Sequence, residues 1–379
     1  MDLKYTEEQE GIRELARQFA QNELAPEADK RDKTGEFNYE LWKRMGDLGL
    51  IGMMWPEEYG GNNADFLSFN LAMEEISRVD SSIGVTLQVA SVSAHQLVME
   101  SDEQKNWKEL YILPVARGEA TGASSVTEPQ AGSNTAGIQT HAVLEGDEFV
   151  INGAKSLCTN PGLKINRFVN VLAIVETEGE KEFDSILVPT GAPGYTIGHK
   201  YEKMGWKSSD TRELYFDNCR VPASNLLKAS SREEIVRQFY PMGRVELASN
   251  SLGIAEACFD LSLSYAQQRI AFKRPISKFQ FVQDMLVEMA LEKELSRLIR
   301  DKAALALGQH DFYKLSSMAK IFCCESAKKA ADLAIQIHGG VGYTEEYPLS
   351  RFYRDNRVIS FGDVTTQIQK WIIARELGC

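Results

Sequence analysis

The stretch Thr127-Glu128-Pro129-Gln130-Ala131-Gly132-Ser133-Asn134 stands where the chain changes character. Ahead of it, residues 1–118 read as helical. Thr6-Glu7-Glu8-Gln9 spells a capping box, and Ile12, Leu15, Ala16 and Phe19 follow at helical spacing. Trp42, Met45, Leu48 and Leu50 extend the pattern to a break at Pro56-Glu57-Glu58-Tyr59-Gly60-Gly61, and further helices are predicted over 66–79, 82–100 and 102–117. Behind it, 119–230 is rich in Gly, Thr, Ser and Val. Glu145-Gly146-Asp147 and Asn152-Gly153 read as turns between short strands, with strands over 168–175, 185–188 and 213–216. Pro189, Pro193 and Pro222 punctuate them. Long periodic segments over 245–269, 279–307 and 312–338 then return the chain to helix, and a last helix is predicted from Thr365 to Leu377.

The expected fold is therefore mainly α with a β insert: a helical domain over 1–118, a middle β-domain over 119–230 and a helical bundle over 231–379. This order has no βαβ alternation, and no G-x-G-x-x-G is present. Both facts argue against a doubly wound dinucleotide-binding sheet.

Composition narrows the function. The chain has 379 residues, 43% of them hydrophobic, enough for two or three domains with a large core. Its 42 basic and 54 acidic residues give a net charge of −12, the wrong sign for a general nucleic-acid surface. No apolar run approaches the roughly 18 residues of a membrane-spanning helix. The start, Met1-Asp2-Leu3-Lys4-Tyr5, leads into an acidic helical pattern without a signal core or an Arg/Ser-rich leader, so the expected location is the cytoplasm. The six cysteines (158, 219, 258, 323, 324 and 379) lack metal-ligand spacing and read as reduced core thiols. The five histidines are scattered, and no metal site is expected.

Several segments carry chemistry beside a plain structural reading. The Thr127–Asn134 stretch presents backbone N–H groups suited to an anion, or is an ordinary loop. Gln336-Ile337-His338-Gly339-Gly340-Val341-Gly342-Tyr343 ends a helix at Gly339, and its glycines also permit close approach to a bulky ligand. Arg269, Phe272, Lys273, Arg274 and Gln280 surround a break at Pro275, either a phosphate-binding set or a solvated cluster. Asp363, in Ile359-Ser360-Phe361-Gly362-Asp363-Val364-Thr365-Thr366, is an N-cap candidate; if Thr365 fills that role, Asp363 is free for other work.

Together these pieces resemble the acyl-CoA dehydrogenase family over nearly the whole chain. They occur in the family's order: Pro56 to Gly61, Ser101-Asp102-Glu103-Gln104-Lys105, Thr127 to Asn134, Asn152-Gly153-Ala154-Lys155, Lys203-Met204-Gly205-Trp206, then Arg269, Phe272 and Gln280. Gln336 with Gly339, Gly340, Gly342 and Tyr343, then Arg354-Asp355-Asn356-Arg357, and Ile372, Ala374, Arg375 and Glu376 complete it. The resemblance implies a helical N-domain, a β-barrel-like middle domain, a C-terminal four-helix bundle, bound FAD and a homotetramer. It implies that Val126 and Thr127 contact the flavin ring, that Thr159 lies near its N5 side, and that Ser133 lies near flavin and pantetheine. Arg269, Phe272, Gln280, Gln336, Gly339 and Gly340 are implied to hold the FAD diphosphate and adenosine across a subunit interface. Thr365 and Gln367 are implied to touch FAD phosphate and ribose, and Arg244 to lie on the CoA side. The implied reaction is α,β-dehydrogenation of an acyl-CoA thioester: a carboxylate takes the α-proton, a hydride leaves the β-carbon for flavin N5, and electron-transferring flavoprotein is the acceptor.

The sequence departs from the family at the base. Where a Glu preceded by an aromatic residue is usual, this chain reads Gly362-Asp363. Asp is one methylene shorter, so its carboxylate retreats by about 1.3–1.5 Å. An alternative base position on an earlier helix corresponds to Gly243, which leaves Asp363 as the only visible candidate. Gly362 also removes a ring beside the α-carbon, and Leu157 replaces a Trp that commonly packs on the flavin. The enlarged volume points to a bulky, α-substituted acyl group such as cyclohexane-1-carboxyl-CoA. By resemblance, Ser91 occupies the pocket-helix position at which a cyclohexenecarboxyl-CoA enzyme carries a second acid, which favours 1,2-elimination. The alternatives are a short- or branched-chain acyl-CoA dehydrogenase, a nitroalkane-oxidase-like flavoenzyme, which also uses an Asp base, and a non-catalytic CoA- or flavin-binding module.

Overall fold

The computed structural model describes residues 4–100, 106–177, 179–227, 237 and 239–379. Ser101-Asp102-Glu103-Gln104-Lys105 lies outside the described residues apart from its neighbours. Helix α1 (Glu7–Phe19) begins with the capping box read from the sequence: Thr6 Oγ1 accepts from Gln9 N at 3.2 Å, and Gln9 Oε1 accepts from Thr6 N at 2.9 Å. Short helices α2 (Ala28–Thr34) and α3 (Tyr39–Asp47) follow, then α4 (Phe66–Ser77) and α5 (Ser81–Glu100). Every residue of α4 is buried, because α1 covers one side and the C-terminal bundle the other. Between 102 and 117 the described backbone is a π-turn, Lys108–Ile112, running into the single helical turn α6 (Leu113–Ala116).

The β-domain holds eight strands: β1 (Thr121–Ser125), β2 (His141–Glu145), β3 (Glu148–Thr159), β4 (Asn166–Thr177), β5 (Glu180–Pro189), β6 (Tyr195–Lys200), β7 (Thr211–Pro222) and β8 (Leu226–Leu227). Strands β1 and β2 lie in succession along one edge of β4, both parallel to it, at 166–171 and 174–176. The chain must leave the sheet between them, and that excursion is the Thr127–Asn134 loop. Glu145-Gly146-Asp147 makes the β2–β3 turn, as expected. Asn152-Gly153 does not turn. It sits inside β3 as a bulge, where the β7 partner steps from Cys219 to Phe216, and Gly153 at φ +149° lies against Thr140. The Asn-Gly signal marked a glycine-requiring kink within a strand.

Helices α7 (Tyr240–Gln268), α8 (Gln280–Leu305), α9 (Phe312–His338) and α11 (Thr366–Glu376) form the bundle, with α10 (Leu349–Ile359) packed across it. Helix α7 starts five residues before the 245 expected, because Pro241 suits a first helical turn and 241–258 are buried. Between Arg269 and Gln280 the chain makes a two-stranded hairpin, β9 (Ile270–Ala271) and β10 (Arg274–Pro275), rather than a simple break. The helical layers are tied together by Arg300, whose guanidinium meets Glu74 and donates to Asn70 O at 3.1 Å and Ser249 Oγ at 3.0 Å. Burial alone would raise the Glu74 carboxyl; Arg300, Arg297 and Arg13 bring it below its usual range. Trp206 docks the β-domain on α10, its backbone N donating to Asp355 Oδ1 at 2.7 Å and its indole to Ser81 Oγ at 2.7 Å. Five cysteines are buried and unpaired; Cys379 is exposed. Among the described residues no helix is long and apolar enough to cross a membrane.

Candidate active site

The loop between α10 and α11 is built to present Asp363. Phe361 N and Gly362 N both return to Val358 O, at 3.0 and 2.7 Å, closing α10. Thr365 caps α11, its hydroxyl accepting from Ile368 N at 3.3 Å. Asp363, between these caps, takes φ +60°, a left-handed conformation that Asp tolerates better than most residues. Its side chain is 31% exposed. Lys320, buried on α9, clamps the loop from below: Nζ donates to Gly362 O and, at 2.6 Å, to Val364 O, and lies 3.9 Å from Asp363 Oδ2. Burial lowers the Lys320 ammonium to about 8, with Asp363 pulling it back up.

Glu246 on α7 is fully buried, and neither of its carboxylate oxygens has a hydrogen-bond partner. Burial raises it to about 8, and the charge of Asp363 pushes the same way. Asp363 is thus not the only acid at the site. Gly243, one turn earlier on α7, faces α5: its carbonyl accepts from Gln88 Nε2 at 3.1 Å, and a Cβ added at Gly243 would meet that nitrogen at 3.2 Å. Arg244 is buried, donating to Ser317 Oγ at 3.1 Å and lying 4.8 Å over the Tyr313 ring. Tyr240 feels both Asp184 of β5 and Asp363, so the β-domain closes this side of the site.

A second construction fixes the Thr127 backbone. Lys155 Nζ, buried on β3, donates to Glu128 Oε1 at 2.8 Å and to Val126 O at 3.1 Å. Thr127 O accepts from Ser156 N at 2.9 Å. Glu128 also accepts from Gln139 N at 2.7 Å and Thr140 N at 3.0 Å. Burial would raise this carboxyl, but these donors, led by Lys155, hold it at about 2.

The remaining residues fall in two places. Leu157, exposed at φ +56° on a second β3 bulge, and Thr159 lie on the same strand as Lys155. Ser133 and Gln367 are exposed. Ser91 is buried, and its hydroxyl is committed to Ile51 O at 2.8 Å. Arg269, Phe272 and Gln280 gather at the far end of α7, where Tyr265 stacks on His338 at 4.2 Å and so brings in Gln336, Gly339 and Gly340. Phe272 and Lys273 occupy the hairpin turn at φ +47° and +67°, a conformation that favours Asn and Gly. No hydrogen bond, ion pair or ring contact among the described residues joins this group to Asp363.

Family models of the acyl-CoA dehydrogenase N-terminal, middle and C-terminal domains match residues 6–119, 123–219 and 234–378. The chain belongs to the acyl-CoA dehydrogenase family. It is 41% identical to a probable acyl-CoA dehydrogenase, YngJ, of Bacillus subtilis (strain 168), each covering 100% of the other. The structure of butyryl-CoA dehydrogenase from Megasphaera elsdenii superposes with a TM-score of 0.93 at 32% identity, covering 100% of both chains. A chain solved in a study of the electron transferring flavoprotein of Acidaminococcus fermentans and flavin-based electron bifurcation gives 0.93 at 36%, covering 100% of this chain and 99% of that one.

Acyl-CoA dehydrogenases are FAD-dependent, and the surfaces here fit that group. A flavin would cover the outward Leu157 and lie against the braced Thr127 backbone. Phe272 is 91% exposed on its strained turn, an apolar surface apart from this one. Sequence reasoning missed Lys320, Glu128 and Glu246. Lys155 and Glu128 stood in quoted motifs, but their pairing joins residues 27 apart. Glu246 gave no signal, since its helix also carries Arg244, Glu256 and Asp260.

Proposed function

We propose that this acyl-CoA dehydrogenase removes hydrogen across the α,β bond of a bulky, α-substituted or alicyclic acyl-CoA, such as cyclohexane-1-carboxyl-CoA, with Asp363 as the base. Asp363 Oδ takes the α-proton, and Lys320 holds its loop in place. The bound flavin supplies the acceptor for the hydride that leaves the β-carbon. The observation that carries the reading is the pair Gly362-Asp363. Gly362 does not have positive φ, and a Cβ there would press on the Val358 carbonyl oxygen at 3.3 Å, a contact that closes only if that backbone gives by a few tenths of an ångström. The φ angle therefore does not require glycine, and the missing side chain leaves space beside the shortened base. The relatives' printed substrates vary in bulk, from butyryl-CoA for the Megasphaera elsdenii enzyme to 3-(aryl)acrylate for a reductase of Clostridium sporogenes that is 37% identical.

The cofactor roles of Val126, Thr127, Ser133, Thr159, Thr365 and Gln367 belong to one FAD. Those of Arg269, Phe272, Gln280, Gln336, Gly339 and Gly340 belong to the FAD of a second copy. The distance supports this: at 1.5 Å per residue, Arg269 lies roughly 35 Å along α7 from Glu246. The exposed apolar face of α8, with Val287, Leu291, Leu295 and Leu298, supports assembly as a homotetramer. Electron-transferring flavoprotein is the proposed acceptor, in keeping with the likeness to the Acidaminococcus study, and the cytoplasm the proposed location.

Anaerobic titration of the FAD-loaded protein with straight, branched and alicyclic acyl-CoAs tests the reading. Cyclohexane-1-carboxyl-CoA should bleach the flavin with the highest kcat/KM, and Asp363→Asn should hold FAD without bleaching. A large preference for butyryl- or octanoyl-CoA would overturn the substrate class; bleaching unchanged in D363N would overturn the base.

A further inference from the structure

Glu246 has no assigned role, and its surroundings are unusual for a carboxyl. It is fully buried, yet both oxygens lack a hydrogen-bond partner. Buried polar groups are nearly always paired, and an unpaired one calls for an explanation. The Gln88 amide is close enough to draw the carboxyl's pKa down; its Nε2 donates to Gly243 O at 3.1 Å, and it makes no hydrogen bond of ordinary length to Glu246. On the other side stands the charge of Asp363. Glu246 thus shares a face of α7 with Gly243, toward α5, and lies within electrostatic reach of Asp363, so an acyl group whose α-carbon meets that base would approach this face.

We propose that Glu246 is a specificity-determining residue of the acyl pocket, and that the substrate carries an uncharged hydrogen-bonding substituent, a hydroxyl, beyond its β-carbon. The proposal rests on the thioester reading above. Kept neutral by burial, the carboxyl offers one donor and one acceptor. A hydroxyl answers both, whereas a plain hydrocarbon leaves both unpaired. Sites built to bind a substrate hydroxyl reject the analogue lacking it far more strongly than apolar pockets discriminate by size. A purely structural role is a poor fit, because a carboxyl that braces the fold would be hydrogen-bonded to it, as Glu74 and Glu128 are.

The test compares kcat/KM for two matched pairs: 3- or 4-hydroxycyclohexane-1-carboxyl-CoA against cyclohexane-1-carboxyl-CoA, and 5-hydroxyvaleryl- against valeryl-CoA. The FAD-loaded wild type should prefer the hydroxylated member of at least one pair by tenfold or more. Glu246→Gln should keep most of that preference. Glu246→Leu and Glu246→Met should bring the ratio to one or below, with the loss falling on the hydroxylated acyl group. Equal turnover of both members by wild type, or equal losses on both in the apolar variants, would overturn the proposal. Failure of every acyl-CoA to bleach the flavin would overturn the thioester reading and this proposal with it. Two pairs keep the result independent of whether the true substrate is a ring.

Discussion

Lys155 and Glu128 meet 2.8 Å apart with both side chains buried, joining β3 to the loop between β1 and β2. The ammonium also takes Val126 O, so one buried charge fixes the backbone proposed to face the flavin. Burial pulls the Lys155 ammonium below its usual range although Glu128 opposes this, while Glu128 stays low because four donors reach it. Removing Lys155 leaves the Glu128 charge buried with only the neutral donors Gln130 Nε2, Gln139 N and Thr140 N. Lys155→Met should therefore cost about 3–5 kcal/mol, read as a lower urea midpoint, and should weaken FAD binding at least tenfold by titration of the apoprotein. FAD affinity equal to wild type would show that the 126–127 backbone does not need this brace.

Lys320 makes a different kind of contact. It holds two carbonyls on either side of Asp363 and only approaches the carboxylate itself. Lys320→Met should leave FAD bound and lower the rate of flavin reduction by 10- to 100-fold, since a displacement near 1 Å is enough for such a loss. Stopped-flow reduction under anaerobic conditions measures it. An unchanged rate would mean that the Thr365 cap and the closure on Val358 suffice to place the base.

The helical–β–helical order was legible because long amphipathic helices and Val-rich strands differ in period, and the capping box at Thr6 was legible because all its members lie within four residues. Asn152-Gly153 misled, since the same dipeptide serves a hairpin turn and a bulge. The base position could be read from its neighbours Gly362 and Thr365. What could not be read is what surrounds it. Lys320 reaches 42 residues along the chain to Gly362, and Glu246 differs from any acid on a solvated face only through the packing of α5 and the Asp363 loop.

If the glycine and the short acid together make room beside the α-carbon, restoring both should close it. Gly362→Tyr combined with Asp363→Glu should raise kcat/KM for butyryl-CoA at least tenfold and lower it for cyclohexane-1-carboxyl-CoA by a similar factor. Neither single change should match the pair: a ring beside the short base leaves the carboxylate set back, and a longer acid without the ring leaves the wide pocket. Equal changes on both substrates would show that pocket volume is set elsewhere.

The Glu246 carboxyl also makes a prediction about stability that needs no substrate. Its pKa rises from 4.5 in the unfolded chain to about 8 in the folded one. A raised acid binds its proton more tightly when folded, so the stability it allows is present below pH 4.5 and is lost as pH climbs through 8. The loss is about 3 kcal/mol at pH 7, about 4 kcal/mol at pH 8, and approaches about 5 kcal/mol above that. Asp355, raised by burial to about 7, adds loss of the same sign, which a change at Glu246 leaves in place. Glu246→Gln cannot ionise. Its urea midpoint should match wild type near pH 4 and exceed it increasingly from pH 5 to 8, and the difference between the two curves isolates this one group. Parallel curves across that range would mean that the carboxyl finds a partner, or water, when the protein is in solution.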